Sequence, residues 1–371
     1  MKNDENVKIN QRNYGIDLLR IIAMFFVVIL HQHSRGGLTN NTIVNSAQYK
    51  LCWAIEIFAY CAVNMFAIIT GFVSYTKEEK KFKFSNYLNI WLQVVFYGLF
   101  VNLIFNIINP SIVTIRDYIN ALLPVTNKLY WYFTAYTGVV VLMPLLNKAI
   151  RNASDLTMKK ISIAIIFVFS IIGRISGGFA LSEGYSVIWL VLLYIIGATI
   201  KKCDVGKGLK WYQIVLAILG LYIFTYMYKI YGLNISTRYI KITRHIFISY
   251  LSPTILGVSI LYVIGFSKIR FNNGMKKTIK FAAPSAFAVY LINNHPLMWE
   301  YVIKDSFVNL SNSSLIKIFT CVVGFSTMFV ILSILIDKLR IYIFNICKVK
   351  TLTKKIELLL DNILTKLAKL I

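Results

Sequence analysis

Charge is scarce in this chain: Asp, Glu, Lys and Arg make up only 15% of 371 residues, well short of what a soluble domain carries. Cysteine is nearly absent, and Cys52, Cys61, Cys203, Cys321 and Cys347 have no paired spacing. This argues against a disulfide framework and leaves free thiols packed as small hydrophobes. Of four histidines, His31, His33, His245 and His295, only the first two share a predicted helix, and residues two apart on a helix face different ways, so no metal site is expected. No G-x-S-x-G elbow occurs and no histidine is followed four residues on by aspartate, which disfavours soluble-type acyltransferase or hydrolase chemistry. The alternation of a membrane β-barrel is missing too. No small-residue cleavage site follows the first apolar block, which therefore reads as a retained span.

Apolar residues are what the chain has, 57% of it with a mean hydropathy of +0.65. They fall in blocks long enough for a helix to cross a hydrocarbon core of roughly 30 Å. The expected fold is an all-α, polytopic transmembrane bundle of about ten spans: residues 16–33, 51–75, 84–108, 129–147, 161–179, 185–200, 211–231, 245–266, 279–299 and 315–336. With no internal repeat or long linker, residues 15–336 form one membrane domain, between an N-terminal tail (1–14) and a basic C-terminal tail (337–371). Within that tail, residues 352–371 alternate lysines and leucines as an amphipathic helix on the inner leaflet would.

The net charge of +25 has a topological pattern. Of 40 Lys and Arg, 27 lie in segments that alternate to one side, eight lie in the opposite loops, and Arg20, Arg174, Lys229, Lys280 and Lys317 lie within spans. The positive-inside rule then assigns both termini to the cytoplasm, and nucleic acid is not needed to explain the charge.

Chemistry enters in the first span. Ten apolar residues, Ile21 to Leu30, separate Arg20 from His31, about 16 Å along a helix axis, so at least one of the two lies well within the bilayer. Eleven residues overshoot three turns by about 20°, which puts Arg20 and His31 on one face. Asp17 joins them, whereas His33 is rotated away. An imidazole so held can take a proton from a hydroxyl and return it to a leaving group. The plainer reading makes Asp17 and Arg20 an interfacial pair and His31 the end of its helix.

Other polar residues carry the same double reading. Glu56, inside the second span, is either in a substrate path or a neutral, hydrogen-bonded acid. Arg174 either snorkels or lines a cavity with Glu183. Tyr130, Trp131 and Tyr132 are an aromatic belt or a platform for a sugar. Arg238, Lys241 and His245, at helical spacing beside Lys229 and Arg244, are either a face for an anionic glycan or a lipid diphosphate, or a solvated or headgroup-binding loop.

Four segments resemble a known family. Arg12-Asn-Tyr-Gly-Ile-Asp17-Leu-Leu-Arg20 with His31 beyond it is similar to the opening signature of the acyltransferase 3 family of integral membrane proteins. Asn64 to Phe72, with Thr70 where serine is usual, resembles its second-helix segment. Tyr130-Trp131 through Tyr136, with Pro144 and Asn147, resembles its fourth. Tyr290-Leu-Ile-Asn-Asn-His295 resembles a Tyr-Leu-Ile-His element with two residues more before the histidine.

The resemblance implies an O-acyltransferase of the bacterial cell membrane that moves an acyl group, usually acetyl, from acyl-CoA to a hydroxyl of a surface glycan or its lipid-linked precursor. Acetyl-CoA would be a co-substrate, with no tightly bound cofactor. His31 would be the base or a transient acyl carrier, oriented by Asp17 and Arg20. Arg12 and Arg20, with Lys80 and Lys81 in place of the usual arginine-rich segment, would hold the CoA phosphates. Glu56, Tyr130, Trp131, Arg174, Arg238, Lys241 and His295 would serve the acceptor. A glycan flippase, polymerase or transporter is the rival reading, and none of these requires the stripe from Asp17 to His31.

Overall fold

The computed structural model describes residues 12–79, 81–236 and 241–369. They are helical apart from turns and one two-residue antiparallel pair, Ile235–Ser236 with Lys241–Ile242. Seven helical stretches are long and apolar enough to cross a membrane: α1 (Tyr14–His33), α2 with α3 (Ala47–Ala59, Ala62–Ser74), α4 (Phe84–Ile108), α6 (Trp131–Asn152), α7 (Asp155–Ser176), α9 (Trp211–Tyr231) and α13 (Leu315–Ile346). Between and after them lie α5 (Ile115–Leu122), α8 (Val187–Lys202), α10 (Pro253–Ser267), α11 (Asn273–Ala282), α12 (Ala286–Asn293) and α14 (Val349–Ala368). The outer surface is apolar, with Ile107, Leu145, Ile163, Leu216, Phe224 and Ile331 all exposed. A water-soluble bundle does not expose such a belt, whereas a lipid-facing one must.

The central helix is α1. Asn13 caps it by accepting from the Ile16 amide at 3.0 Å, while its Nδ2 donates to the Ser267 carbonyl at 2.9 Å, tying α1 to the end of α10. Gly15 makes that approach possible, because a Cβ there would stand 1.8 Å from the Phe266 carbonyl oxygen. Another close helix crossing pairs α3 with α8. A Cβ on Gly71 would fall 1.9 Å from the Tyr194 oxygen, and one on Gly197 1.9 Å from the Ile68 oxygen. Small residues at such crossings let helices gain dispersion contact where lipid offers no hydrophobic drive. Asn64 secures the same region, donating to the Tyr250 carbonyl (2.7 Å) and accepting from Trp189 Nε1 (3.1 Å).

The structure redraws several predicted spans. The segment 245–266 is not one helix: residues 243–252 form turns, and Pro253, which lacks an amide proton, starts the 15-residue α10. The segment 185–200 starts at Val187, capped by Ser186. The segment 279–299 is broken twice, by a 3₁₀ turn containing Pro284 and again at Asn294–His295 before Pro296. The last span does not stop at residue 336; α13 runs on to Ile346. Its polar residues are satisfied internally: fully buried Asp337 accepts from Arg340 (2.6 and 2.9 Å) and Tyr97 (2.8 Å). After it, α14 packs on α4, with Asn89 donating to Thr353 at 3.1 Å, and exposes Leu352, Leu359, Ile363 and Leu367.

Candidate functional site

The C-terminal end of α1 borders a cavity of about 330 Å³, within the range of small-ligand sites. His31 lines it with Met24, Val27 and Leu30 from its own helix, Glu56 from α2 and a set of aromatic rings: Tyr60, Phe66, Trp131, Tyr132, Tyr185, Tyr250, Phe287, Tyr290 and Trp299. The rings brace one another, Trp131 on Tyr185 at 4.5 Å and Tyr250 on both Tyr185 (5.2 Å) and Tyr60 (5.1 Å). Faces of this kind stack on the apolar side of a sugar or similar flat polar ligand.

His31 is oriented from two sides. Trp299 meets its ring edge-on at 4.4 Å, and its Nδ1 is hydrogen-bonded to Asn293 Oδ1. An amide oxygen facing the ring accepts from Nδ1–H and leaves Nε2 its lone pair. That is the protonation state a general base requires. Glu56, on another wall of the cavity, accepts from Thr39 at 3.0 Å. His33, by contrast, is fully buried and bonded to the Ile29 carbonyl at 2.9 Å.

The N-terminal half of α1 borders a different space. Asp17 is buried and accepts from Arg12 and, at 2.9 Å, from Arg20. Held so, Arg20 lines a second cavity of about 320 Å³ with Thr70, Gln93 and Tyr136. It also lines a third with Arg12, Asp17 and Lys201. Arg12 and Lys201 continue into a fourth, where Arg270 and Lys276 join them. The stripe on α1 thus borders three cavities rather than one: two beside the basic groups at the N-terminal end, and one with an imidazole and a carboxylate at the other. Phe66, Tyr132 and Phe287 line both the Arg20 and the His31 chambers.

Several sequence-predicted residues stand elsewhere. Tyr130 is neither an interfacial belt residue nor a sugar platform; it is fully buried and donates to the Leu291 carbonyl at 3.0 Å. His295 is 2% exposed and behind the cavity wall, its Nδ1 accepting from the Leu297 amide as the cap of a short helical turn. Arg174 pairs with Glu183 and donates to the Ile246 carbonyl at 2.8 Å, while Ser249 also bonds Glu183, so the pair braces the loop that carries Tyr250 without lining the cavity itself. Lys81 forms an exposed ion pair with Asp361. Lys80, Arg238 and the Lys241 side chain lie outside the described residues. Nearby, His245 accepts from Lys229 Nζ at 2.8 Å. Burial and then the charges of Lys229 and Arg174 push its pKa down to about 4, so it does so as a neutral ring.

Asn293 is the residue that sequence reasoning passed over. Its signal was positional: it holds the fourth place in Tyr290-Leu-Ile-Asn293, where the resembling element has histidine, and attention to residue type led to His295 instead. Lys201, Arg270 and Lys276 had no signal beyond membership of basic loops.

A family model described as an acyltransferase domain matches residues 13–338, nearly all of the helical bundle and every residue of both chambers except Arg12. The chain belongs to the acyltransferase 3 family. No curated protein and no solved structure matches it. Family membership and the apolar helices together make this a multi-pass membrane acyltransferase. An acyltransferase 3 protein must seat a donor and an acceptor and bring the two together.

The hydrogen bond from His31 Nδ1 is testable by itself. Asn293→Ala leaves the imidazole free to rotate and to change tautomer, and is expected to lower acyl transfer about 100-fold. Asn293→Asp, which keeps an acceptor at the same reach, retains most of the activity. Equal loss in both variants would remove Asn293 from the positioning of His31.

Proposed function

We propose that this protein is an O-acyltransferase of a bacterial cell membrane that moves an acyl group, acetyl by preference, from acyl-CoA to a hydroxyl of a surface polysaccharide or its lipid-linked precursor. The observation that carries the reading is the His31–Asn293 hydrogen bond on the wall of an aromatic cavity that also holds Glu56. Behind that cavity, toward the N-terminal end of α1, lies a chamber lined by Arg20. In this reading ten helical segments cross the membrane and both termini are cytoplasmic, as the lysine and arginine bias indicates.

The donor then approaches from the cytoplasm as a polyanion, drawn by Arg12, Arg20, Lys201, Arg270 and Lys276. Arginine suits phosphate because its guanidinium offers two parallel donors. The acceptor enters from the opposite side, where Trp131, Tyr185 and Tyr250 stack a sugar ring and Glu56 accepts from its hydroxyls. His31 Nε2 takes the proton of the attacking hydroxyl as the new oxygen–carbon bond forms. The tetrahedral intermediate collapses with cleavage of the carbon–sulfur bond, and the leaving thiolate recovers that proton from His31. No covalent acyl-enzyme is required, and the imidazole ends each cycle as it began.

Purified protein reconstituted in lipid and supplied with radiolabelled acetyl-CoA and a surface-type glycan is expected to transfer label to the glycan and release CoA stoichiometrically. Label that stays wholly in acetyl-CoA across a panel of glycans would favour a protein that moves glycans without acylating them.

A further inference from the structure

The two chambers have a common wall. Phe66 from α3, Tyr132 from α6 and Phe287 from α12 each line the His31 cavity and the Arg20 cavity. Phe66 meets Tyr132 edge-on at 5.7 Å and lies nearly parallel to Phe287, with centroids 6.5 Å apart and planes 23° from parallel. Three helices thus each contribute one ring to one partition.

Tyr290 braces the partition from behind. Tyr132 is 6% exposed, and its amide donates to Tyr290 Oη at 3.4 Å. Phe287 in turn stacks on Tyr290, with centroids 5.8 Å apart and planes 17° from parallel. Phe66 and Phe287 carry no hydrogen-bonding group, so a turn of either ring costs packing contacts but no hydrogen bond, and both line the cavity on each side.

The polar groups are divided by this partition. Arg20, Thr70 and Gln93 are on one side, and His31, Glu56 and Asn294 on the other. Two chambers that each hold polar groups, joined end to end within a membrane protein, would make a path for water and small ions. Apolar rings across the junction oppose that, because a polar solute loses its hydration there without gaining partners.

We propose that Phe66, Tyr132 and Phe287 form a septum that seals the two chambers from each other against small solutes and, by its width when the phenylalanine rings turn, limits the length of the acyl group delivered to His31. The second half rests on the acyl-transfer reading given above; the seal does not. A slender, largely uncharged thioester arm with a short acyl end passes between turned rings. A longer or branched acyl group meets them.

The test uses full-length protein in proteoliposomes with two readouts. The first is decay of an imposed pH gradient. Wild type is expected to hold the gradient as well as protein-free vesicles do, and Phe66→Ala/Phe287→Ala to dissipate it at least 10-fold faster. The second is turnover of acetyl-CoA against hexanoyl-CoA with a glycan acceptor. The double variant is expected to raise the hexanoyl-to-acetyl ratio about 10-fold, the scale on which a pocket discriminates a few methylenes.

Phe287→Trp is a second, larger-ring variant, expected to keep the seal and to lower acetyl turnover by hindering passage. It guards against a leak that merely reports misfolding. If wild type transfers no acyl group but the double variant leaks and Phe287→Trp does not, the transfer reading fails and the seal stands. If wild type transfers acetyl while neither the gradient nor the acyl ratio changes in the double variant, the septum is overturned. A leak in all variants including Phe287→Trp overturns it as well.

Discussion

His31→Ala is expected to lower glycan acylation by about 10²- to 10⁴-fold while leaving the amount of protein in the membrane unchanged, the range over which a positioned general base contributes. His31 is the one histidine among the described residues that lines a cavity bordering the Arg20 chamber, and its Nδ1 is hydrogen-bonded to Asn293 Oδ1. His33→Ala is the matched comparison, since His33 is two residues away, fully buried and bonded to the Ile29 carbonyl. It costs packing and one hydrogen bond, so stability falls but the turnover of the protein that remains folded does not. Transfer of labelled acetyl groups per mole of folded protein separates the two. Retained turnover in His31→Ala would take the imidazole out of the mechanism, whatever else the cavity does.

Gly197→Val is expected to abolish recovery of folded, monodisperse protein, and Gly71→Val to do the same. The cause is backbone against backbone: a Cβ on Gly197 would stand 1.9 Å from the Ile68 carbonyl oxygen and 2.9 Å from the Phe72 amide nitrogen. No side-chain rotation relieves that, so α3 and α8 would have to separate along a crossing that is buried on both sides. Overpacking of a core costs about 1–3 kcal/mol even where side chains can yield, and here they cannot. Gly220→Ala is the control, because no atom lies within 4 Å of the added Cβ. It should be neutral or stabilising by up to about 1 kcal/mol through helix propensity alone. Size-exclusion profile and thermal midpoint in detergent are the measurements, and a wild-type midpoint in Gly197→Val would show that the helices can part without cost.

The chain's membrane character was readable because it follows from composition and block length, which no folding detail can alter: 57% apolar residues in helix-length runs have no other solvent than lipid. The stripe on α1 was also readable, because helical periodicity is local and relates Asp17, Arg20 and His31 by counting alone. Boundaries were less so. Predicted spans 185–200 and 245–266 proved to be helices of 16 and 15 residues, since hydropathy averages over a window and cannot see the Ser186 cap or the start at Pro253. Tyr130 and His295 were misjudged for a related reason. Aromatic and polar residue types suggest an interface or a site, but whether a side chain meets a cavity or the Leu291 carbonyl depends on which helix lies behind it.

What the amino-acid order determined by itself was everything that depends on the nearest four residues and on bulk solvation: a helical, lipid-embedded chain whose first helix sets an arginine, a carboxylate and an imidazole on one side. What only the packing decided was the company those groups keep. Asn293, 262 positions away, reaches His31, and rings from α3, α6 and α12 divide the Arg20 chamber from its neighbour. Such contacts arise where helices cross, and a crossing is set by the sum of small-residue approaches such as Gly15, Gly71 and Gly197, not by any segment's own pattern.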